Sequence, residues 1–284
     1  MIIGGDKSKV IENIKEAVAR GDYNAKVETD DPDLTGKERS DVTKRYLKKY
    51  KTWGYRVCNV GARAIADTAT KVINKDMPIY GLENIEGIKT GAIVTSNHFN
   101  PIDNTAVRKT VNKAGHKRLF IVSQDTNFAM KGFVGFLMNH EDVLPLINSS
   151  VYMKEIFPEI LKTLIAKKEF ILIYPEQEMW FNYRKPRPPK RGAYYYAALN
   201  NVPIVSCFVE IRELPEKDND EFYKTSYIMH VLNTIYPDKE KSVRENSKIM
   251  METDYRQKVC AYEKAYGKKL TYDFEDDDIA GLIK

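Results

Sequence analysis

The chain has 284 residues, of which 43% are hydrophobic and 11% aromatic, and this composition excludes a mainly disordered protein. The length allows one large α/β domain with terminal additions, or two small domains. The formal net charge is +5, from 45 basic and 40 acidic residues. Such a small excess does not indicate a nucleic-acid-binding protein, and it is compatible with an enzyme that meets anionic lipids or phosphorylated substrates.

Cysteine usage and hydropathy indicate the compartment. Cys58, Cys207 and Cys260 are far apart and lack the spacing of a zinc site, so we expect neither a metal site nor a disulfide framework. The first residues lack the apolar core of a signal peptide, and no segment reaches the roughly 18–20 apolar residues that cross a bilayer. We therefore expect a cytoplasmic protein that binds peripherally to the inner face of the membrane.

The first 75 residues predict helices. Helical periodicity is weak over residues 7–20, and the polar, acidic segment 21–41 predicts a loop. A long helical pattern then runs from residue 41 to about residue 74, with a kink expected at one of its glycines. Its aromatic and apolar residues alternate with lysines and arginines. Two interpretations are open: an amphipathic helix packed on the core, or a basic, aromatic helix at a membrane surface.

From residue 76 onward, apolar segments with strand character alternate with helical patterns. This alternation predicts an α/β fold with a mostly parallel central sheet flanked by helices, after the N-terminal helical region. We divide the chain into an N-terminal helical, membrane-facing region (1–75), an α/β core (76–236), and a C-terminal charged helix with an acidic tail (237–284). The strands are expected at residues 78–82, 91–96, 119–123, 170–174, 202–209 and 225–235, and the helices of the core at residues 103–114, 151–168 and 193–200.

One predicted strand ends in a pair of residues suited to acid–base chemistry. His98 follows the apolar strand 91–96 (GAIVTS), and Asp103 stands where the next helix begins. In open α/β sheets, ligand sites gather beyond the carboxyl ends of the strands. A strand–turn–helix can bring these side chains within hydrogen-bond distance, so that the carboxylate fixes one imidazole tautomer and stabilises the protonated ring. The two residues would then act as the base and orienter of a serine-hydrolase triad, with a substrate hydroxyl in place of the serine.

A structural interpretation of the same segment is also open. A single histidine beside a helix start is commonly a packing residue, and Asp103 could be a plain N-cap. His116, His140 and His230 lack a comparable context, and we expect them to be structural or surface residues.

Two later segments also place polar residues beside strands. The segment 170–180 (FILIYPEQEMW) runs from an apolar strand into a proline turn, where Glu176 is expected to be exposed. The segment 184–191 (RKPRPPKR) contains five cations stiffened by three prolines. It is either a solvated loop or an anion-binding lip for phosphate or lipid head groups.

Together these segments resemble the lysophospholipid and glycerophosphate acyltransferase family. The family's first block, Asn-His-x4-Asp, is complete here as Asn97, His98 and Asp103. Its third block, usually Phe-Pro-Glu-Gly-Thr-Arg after an apolar strand, reads YPEQEM over residues 174–179. Its fourth block, Val-Pro-Ile-Val-Pro, reads VPIVS over residues 202–206. Order and spacing agree over nearly half of the chain.

The resemblance implies an α/β fold with His98 and Asp103 as catalytic residues in a cleft. It also implies acyl-CoA or acyl carrier protein as the donor co-substrate, a lipid acceptor and a membrane surface as partners, and neither a metal nor another cofactor. His98 would remove the proton of the acceptor hydroxyl as that hydroxyl attacks the thioester. The substrate-binding residues that we predict are Asn97, Glu176, Gln177, Glu178, Arg184, Lys190 and Arg191.

The departures from the family pattern concern the acceptor's phosphate. The second block's arginine is missing from residues 141–146, and Gln177, Glu178 and Met179 replace the Gly-Thr-Arg of the third block. An extra carboxylate repels a phosphate dianion unless a cation intervenes. Two hypotheses follow. Either cations of the segment 184–191 replace the lost arginines and the acceptor is a lysophospholipid such as 1-acylglycerol-3-phosphate, or the acceptor is another hydroxyl, such as a glycolipid sugar, that Gln177 or Glu178 hydrogen-bonds.

Three further alternatives concern other parts of the sequence or other function classes. The apolar segment 128–138 either lines an acyl groove or dips into lipid, or it is a buried helix. A metal-dependent hydrolase could use His98, Asp103 and Glu176 as ligands. A lipid-binding protein could also keep the fold without the chemistry.

Overall fold

Helices form the N-terminal part of the chain. The computed structural model describes residues 7–29, 32 and 34–283. Residues 30, 31 and 33 of the predicted acidic loop lie outside the described residues. The first three helices are α1 (Lys7–Ala19), α2 (Gly36–Lys49) and α3 (Trp53–Ile73).

The expectation of one long helix over residues 41–74 is wrong, because the chain breaks between α2 and α3. The hydroxyl of Thr52 accepts a hydrogen bond from the Tyr55 amide and so caps the N-terminus of α3. A new helix therefore begins at Trp53. The helix α2 begins inside the segment expected to be a loop. Thr35 and Glu38 form a capping box there, in which each side chain satisfies the other residue's backbone amide.

The described strands form a single sheet of seven strands. Its order is β1-β7-β6-β2-β5-β3-β4, and every neighbouring pair is parallel except β6 and β7. The predicted mostly parallel sheet is therefore confirmed. The strand β4, which contains Pro145, was not predicted. The strands are β1 (Ile79–Tyr80), β2 (Ala92–Thr95), β3 (Leu119–Gln124), β4 (Val143–Leu146), β5 (Phe170–Leu172), β6 (Ile204–Lys217) and β7 (Tyr223–Val231).

Helices cover both faces of the sheet, as the α/β prediction requires. Successive residues of β2 show this, because Ile93 packs into one core cluster and Val94 into the other, and both are fully buried. None of the described helices combines the length and apolar character needed to span a membrane. The remaining helices are α4 (Asn104–Lys113), α5 (Gly132–His140), α6 (Phe157–Ala166), α7 (Gly192–Leu199) and α8 (Val243–Tyr266).

The helix α8 is joined to the strand that leads to His98 by a buried polar network. The Thr95 hydroxyl lies 3.1 Å from both carboxylate oxygens of Asp254, and Lys258 Nζ donates to Asp254 at 2.8 Å and to Thr95 at 3.0 Å. The hydroxyl of Tyr194 on α7 also donates to Asp254. These residues are buried, so each polar group depends on the others for its hydrogen bonds.

We expect Asp254→Ala to reduce the free energy of unfolding by about 3–5 kcal/mol, because it leaves the Lys258 ammonium buried without its carboxylate. Chemical denaturation measures this loss. The control is Glu252→Ala on the same helix, whose 3.9 Å ion pair with Lys248 is exposed and should contribute less than about 1 kcal/mol. Equal effects of the two substitutions would contradict the role of the buried network.

Candidate active site

The residues His98 and Asp103 meet at the carboxyl edge of the sheet. His98 lies three residues beyond the end of β2, and Asp103 directly precedes α4. His98 Nδ1 is 2.8 Å from Asp103 Oδ2, so the predicted contact between the two side chains is confirmed. The imidazole is 21% exposed, whereas the Asp103 side chain is 2% exposed. With Nδ1–H donated to the carboxylate, Nε2 is the ring nitrogen that can accept a proton.

The carboxylate of Asp103 does not cap α4. Its Oδ2 atom also accepts the backbone amides of Phe99 at 2.9 Å and Asn100 at 3.2 Å, and no side-chain cap bond joins it to the helix. The plain N-cap interpretation of Asp103 is therefore wrong. The turn between β2 and α4 folds around the carboxylate, and this places the carboxylate against the imidazole.

The sequence interpretation missed Tyr174, which contacts both members of the pair. Its hydroxyl donates to Asp103 Oδ1 at 2.5 Å, and its ring stacks on the His98 imidazole at a centroid distance of 3.9 Å and an angle of 13°. Burial, and then the neighbouring Asp103 carboxylate, raise the pKa of Tyr174 well above its ordinary value. A signal was present in the sequence, because a tyrosine stands where the family's third block usually has phenylalanine.

Asn97 connects two strands. Its side-chain amide donates to the Val209 carbonyl at 3.0 Å and accepts the Val209 amide at 2.8 Å, and the residue is 2% exposed. These bonds tie the end of β2 to β6. Asn97 was predicted to bind substrate, but its amide group is occupied by the backbone of β6, and its structural effect is to hold the segment that precedes His98.

Glu176 is 3% exposed, so the expectation of an exposed Glu176 is wrong. Its carboxylate accepts the His98 amide at 3.2 Å, the Arg187 amide at 3.0 Å and the Arg187 Nε–H at 3.1 Å. Glu176 thus joins the turn after β2 to the turn after β5. A metal-dependent hydrolase would need Glu176 as a ligand together with His98 and Asp103, but both carboxylate oxygens accept bonds from these other groups.

Three of the five cations in the segment 184–191 are engaged within the protein. Lys185 forms a fully buried ion pair with Asp278 at 2.8 Å. Arg187 pairs with Glu176 at 2.9 Å. Arg184, which was predicted to bind substrate, pairs with Glu213 at 2.7 Å. The segment is therefore not the solvated loop of one interpretation, and much of its charge is already neutralised.

Arg187 also supports the backbone around His98. Its guanidinium donates to the carbonyl oxygens of Tyr23 at 3.0 Å and His98 at 3.4 Å, and to that of Glu178. It lies 4.6 Å above the ring of Trp180, whose amide donates to the His98 carbonyl at 3.1 Å. An arginine whose N–H donors already bond this many protein groups has few donors left for a ligand.

The other predicted substrate-binding residues lie around the turn after β5. Lys190 and Arg191 are exposed, and the Lys190 amide donates to the Pro175 carbonyl at 2.7 Å, which places this pair of cations beside the turn. Gln177 is exposed, with a left-handed φ of 69°. The Glu178 carboxylate is half-buried and accepts the side-chain amide of Gln124, at the end of β3, at 2.6 Å.

A cavity of about 540 Å³ lies between α2, α3 and the segment that contains α5. The segment 128–138, which contributes to this cavity, is neither a wholly buried helix nor a wholly exposed lipid contact. Phe128 is buried, whereas Phe133 and Val134 are 61% and 50% exposed. The cavity has an apolar lining with basic residues among it. Its lining residues include Val42, Arg45, Tyr46, Lys49, Tyr55, Phe128, Met130, Lys131 and Phe136.

The remaining histidines have local partners, as expected of structural residues. His116 stacks on Phe170 at 3.9 Å, and burial lowers its pKa. His140 Nδ1 lies 2.9 Å from the Phe136 carbonyl, and His230 Nε2 lies 2.8 Å from Glu210. Cys58, Cys207 and Cys260 are free cysteines.

Comparisons with known proteins show similarity in sequence and in fold. Residues 76–210 match the family model Acyltransferase. The fold is similar to the crystal structure of the 1-acyl-sn-glycerophosphate (LPA) acyltransferase PlsC from Thermotoga maritima, with a TM-score of 0.51, 15% sequence identity, and coverage of 93% of this chain and 100% of that chain. No match was found among curated protein sequences. The matched residues, nearly half of the chain, contain His98, Asp103 and the later blocks in order, and this part of the chain belongs to the acyltransferase family.

Proposed function

We propose that this acyltransferase moves a fatty acyl chain from a thioester, acyl-CoA or acyl carrier protein, to a hydroxyl of a lysophospholipid such as 1-acylglycerol-3-phosphate. The observation that carries the proposal is the 2.8 Å contact between His98 and Asp103, with the imidazole partly exposed and the carboxylate buried. The similar structure from Thermotoga maritima, an LPA acyltransferase, supports the choice of acceptor class.

The geometry suits a single displacement through a tetrahedral intermediate. His98 Nε2 takes the proton of the acceptor hydroxyl as the oxygen attacks the thioester carbonyl. Asp103, bonded to Nδ1, stabilises the imidazolium that forms. The intermediate then collapses, the carbon–sulfur bond breaks, and the leaving thiolate takes the proton from His98. The chain needs no covalent acyl-enzyme and no metal for this sequence of steps.

Lys190 and Arg191 are the cations of the basic segment that we propose bind the acceptor's phosphate. Both side chains are exposed, and both lie beside the turn that carries Glu176. Charged hydrogen bonds from lysine and arginine are the usual contacts of phosphate groups. They would take the place of the arginines that the second and third blocks of the family supply.

A second candidate acceptor is an uncharged hydroxyl lipid, such as a glycolipid. The observation that favours it is the Glu178 carboxylate beside the same turn, held by Gln124. A carboxylate accepts hydrogen bonds from sugar hydroxyls and repels a phosphate. Gln177, exposed on the turn, could donate to or accept from the same hydroxyls.

We further propose that the exposed face of α3 binds the inner surface of an anionic membrane. Trp53, Val57 and Val60 recur at helical spacing and are 79%, 52% and 64% exposed, and Val72 near the end of the helix is 72% exposed. Phe133 on the neighbouring α5 is 61% exposed. Apolar side chains rimmed by cations fit a lipid surface, whose head groups attract the cations. The exposed cations of this part of the chain are Lys44, Arg45, Lys48, Lys49, Lys51, Arg56 and Lys131.

We propose that an acyl chain lies along the apolar lining of the cavity between α2, α3 and α5. This position would let a lipid chain pass from the membrane-facing helices into the protein. The basic residues Arg45, Lys49 and Lys131 would then face the charged part of the lipid.

We expect His98→Ala to reduce acyl transfer by about 10³-fold, because the acceptor hydroxyl loses its general base. Labelled acyl-CoA and a lysophospholipid, with product separated by chromatography, measure the rate. His116→Ala, which removes a histidine of the loop after α4 that stacks on Phe170, is the control and should retain transfer. A wild-type protein that binds lipid without transfer or donor hydrolysis would support the non-catalytic alternative, and retained transfer in His98→Ala would refute the mechanism.

We expect Lys190→Gln/Arg191→Gln to raise the KM for 1-acylglycerol-3-phosphate by about tenfold or more, because two charged contacts to phosphate are lost. The KM for an uncharged lysoglycolipid should change little. Lys167→Gln/Lys168→Gln is the matched control, since these exposed lysines precede β5 at the opposite edge of the sheet. Wild-type activity on the uncharged acceptor alone would reject the lysophospholipid in favour of the second candidate.

We expect Trp53→Ser/Val60→Ser to weaken binding to vesicles that contain anionic lipid by about tenfold or more, because two apolar anchors are lost. Sedimentation with vesicles at low and high salt measures the effect. The control, Val151→Ser/Ile249→Ser, changes two exposed apolar residues elsewhere and should leave binding intact. Unchanged binding of the α3 variant would contradict the membrane surface.

A further inference from the structure

The side chain of Tyr174 touches both members of the His98–Asp103 pair. Its hydroxyl is 2.5 Å from Asp103 Oδ1, on the opposite carboxylate oxygen from the one that His98 contacts. Its ring lies nearly parallel to the imidazole, with 3.9 Å between centroids. The ring therefore limits the tilt of the imidazole, and the hydrogen bond from the hydroxyl offsets part of the negative charge of the carboxylate.

The hydroxyl is the part of Tyr174 that a phenylalanine could not supply. A phenylalanine ring at this position would keep the stacking on His98 and lose the bond to Asp103. The hydrogen bond from Tyr174 offsets part of the negative charge of the carboxylate, so the carboxylate stabilises the protonated imidazole less strongly. A general base works best when its pKa is close to the working pH, so this hydrogen bond affects the rate as well as the geometry.

Few other ionisable groups near the pair can change the proton affinity of His98. Burial raises the pKa of Cys207 on β6 and of Tyr227 on β7 to about 12, so both side chains stay neutral at physiological pH. Arg108 on α4 is paired with Glu141, whose pKa burial raises to about 7. Among these described neighbours, Glu141 is thus the group besides His98 that changes charge near neutral pH, and it is the same in wild type and in Tyr174→Phe.

The backbone of His98 meets one more pair of charges. Its amide donates to Glu176, and its carbonyl accepts from Arg187. These opposite charges are paired with each other at 2.9 Å, so their fields at the imidazole largely cancel. The desolvated hydroxyl of Tyr174 stays protonated well above its ordinary pKa and acts as a donor to Asp103 throughout the working range.

We propose that Tyr174 is a positioning residue that acts through Asp103, lowering the basicity of His98 and holding its ring for proton transfer. The proposal rests on the proposed function of His98 as general base. It predicts a Tyr–Asp–His chain in which the donor on one carboxylate oxygen sets the proton affinity of the imidazole on the other.

Titration of the imidazoles by NMR tests the coupling without any substrate. The chain has four histidines, and His98→Ala identifies the signal of His98. We expect Tyr174→Phe to raise the pKa of His98 by about half to one unit, because the carboxylate keeps more of its charge. Tyr152→Phe is the control, since it removes a buried hydroxyl bonded to the Pro145 carbonyl and should leave His98 unchanged.

Kinetics give a second readout. The acid limb of kcat/KM should move to higher pH by the same amount in Tyr174→Phe, kcat at neutral pH should fall about three- to tenfold, and the acceptor KM should change less than twofold. Thermal unfolding of both variants shows whether folding is retained. If Tyr174→Phe fails to fold, Tyr174→Trp, which keeps an N–H donor, and Tyr174→Leu, which has none, replace it in the same NMR titration.

Two results would overturn the inference: a His98 titration that does not move in Tyr174→Phe, or one that moves to lower pH. Failure of the proposed function looks different. In that case His98→Ala would retain acyl transfer, while the NMR titration would still report whether Tyr174 and His98 are coupled through Asp103.

Discussion

The carboxylate of Asp103 is the point on which the site depends. It is almost completely removed from water, and an isolated carboxylate in that position would be neutralised or expelled. Donors from the turn backbone, from Tyr174 and from His98 compensate this cost. Because two of these donors are amides of the turn between β2 and α4, the conformation of the turn and the position of the carboxylate determine each other. The imidazole then has one orientation in which it completes the hydrogen bonds of the carboxylate.

A second buried charge supports the other side of His98. The Glu176–Arg187 pair costs desolvation, and a buried pair of this kind is weak evidence for stability by itself. Its contacts are informative because they fall on the His98 amide and carbonyl and on the Tyr23 carbonyl. The pair therefore holds three segments that are distant in sequence. The apolar packing of α1 against Trp180 and Ile279 covers this region from the outside.

The sequence predicts much of this architecture where the information is local. Apolar strands ending in polar residues locate β2 and β5, and the spacing of His98 and Asp103 predicts their contact. The helix break at Thr52 was missed because the amphipathic pattern continues across it and one cap decides the end of the helix. Glu176 was expected to be exposed because its partner, Arg187, is eleven residues away and across a proline-rich turn.

Contacts between distant segments could not be read from the pattern. The residues Lys185 and Asp278 are 93 positions apart, and nothing in the composition of the basic segment 184–191 reveals that its lysine is fully buried. The same holds for Asn97, whose place in the family's first block suggested a ligand contact, whereas its amide pairs with the backbone of β6. In both cases the sequence identifies a polar residue, and the fold decides whether protein or solvent satisfies it.

The division of charge between buried and exposed groups bears on acceptor choice. The arginines and lysine that the fold has sequestered, Arg184, Lys185 and Arg187, hold the protein together and are neutralised by carboxylates. Lys190 and Arg191 stand in solvent, where an attraction to phosphate at 4 Å is worth only about 1 kcal/mol and is screened by salt. Hydrogen bonds that a head group would form with Gln177 or would donate to Glu178 are of comparable strength. Under the proposed function, selectivity for the acceptor would rest on side chains in and beside the turn after β5, and these can change without disturbing the buried network around His98.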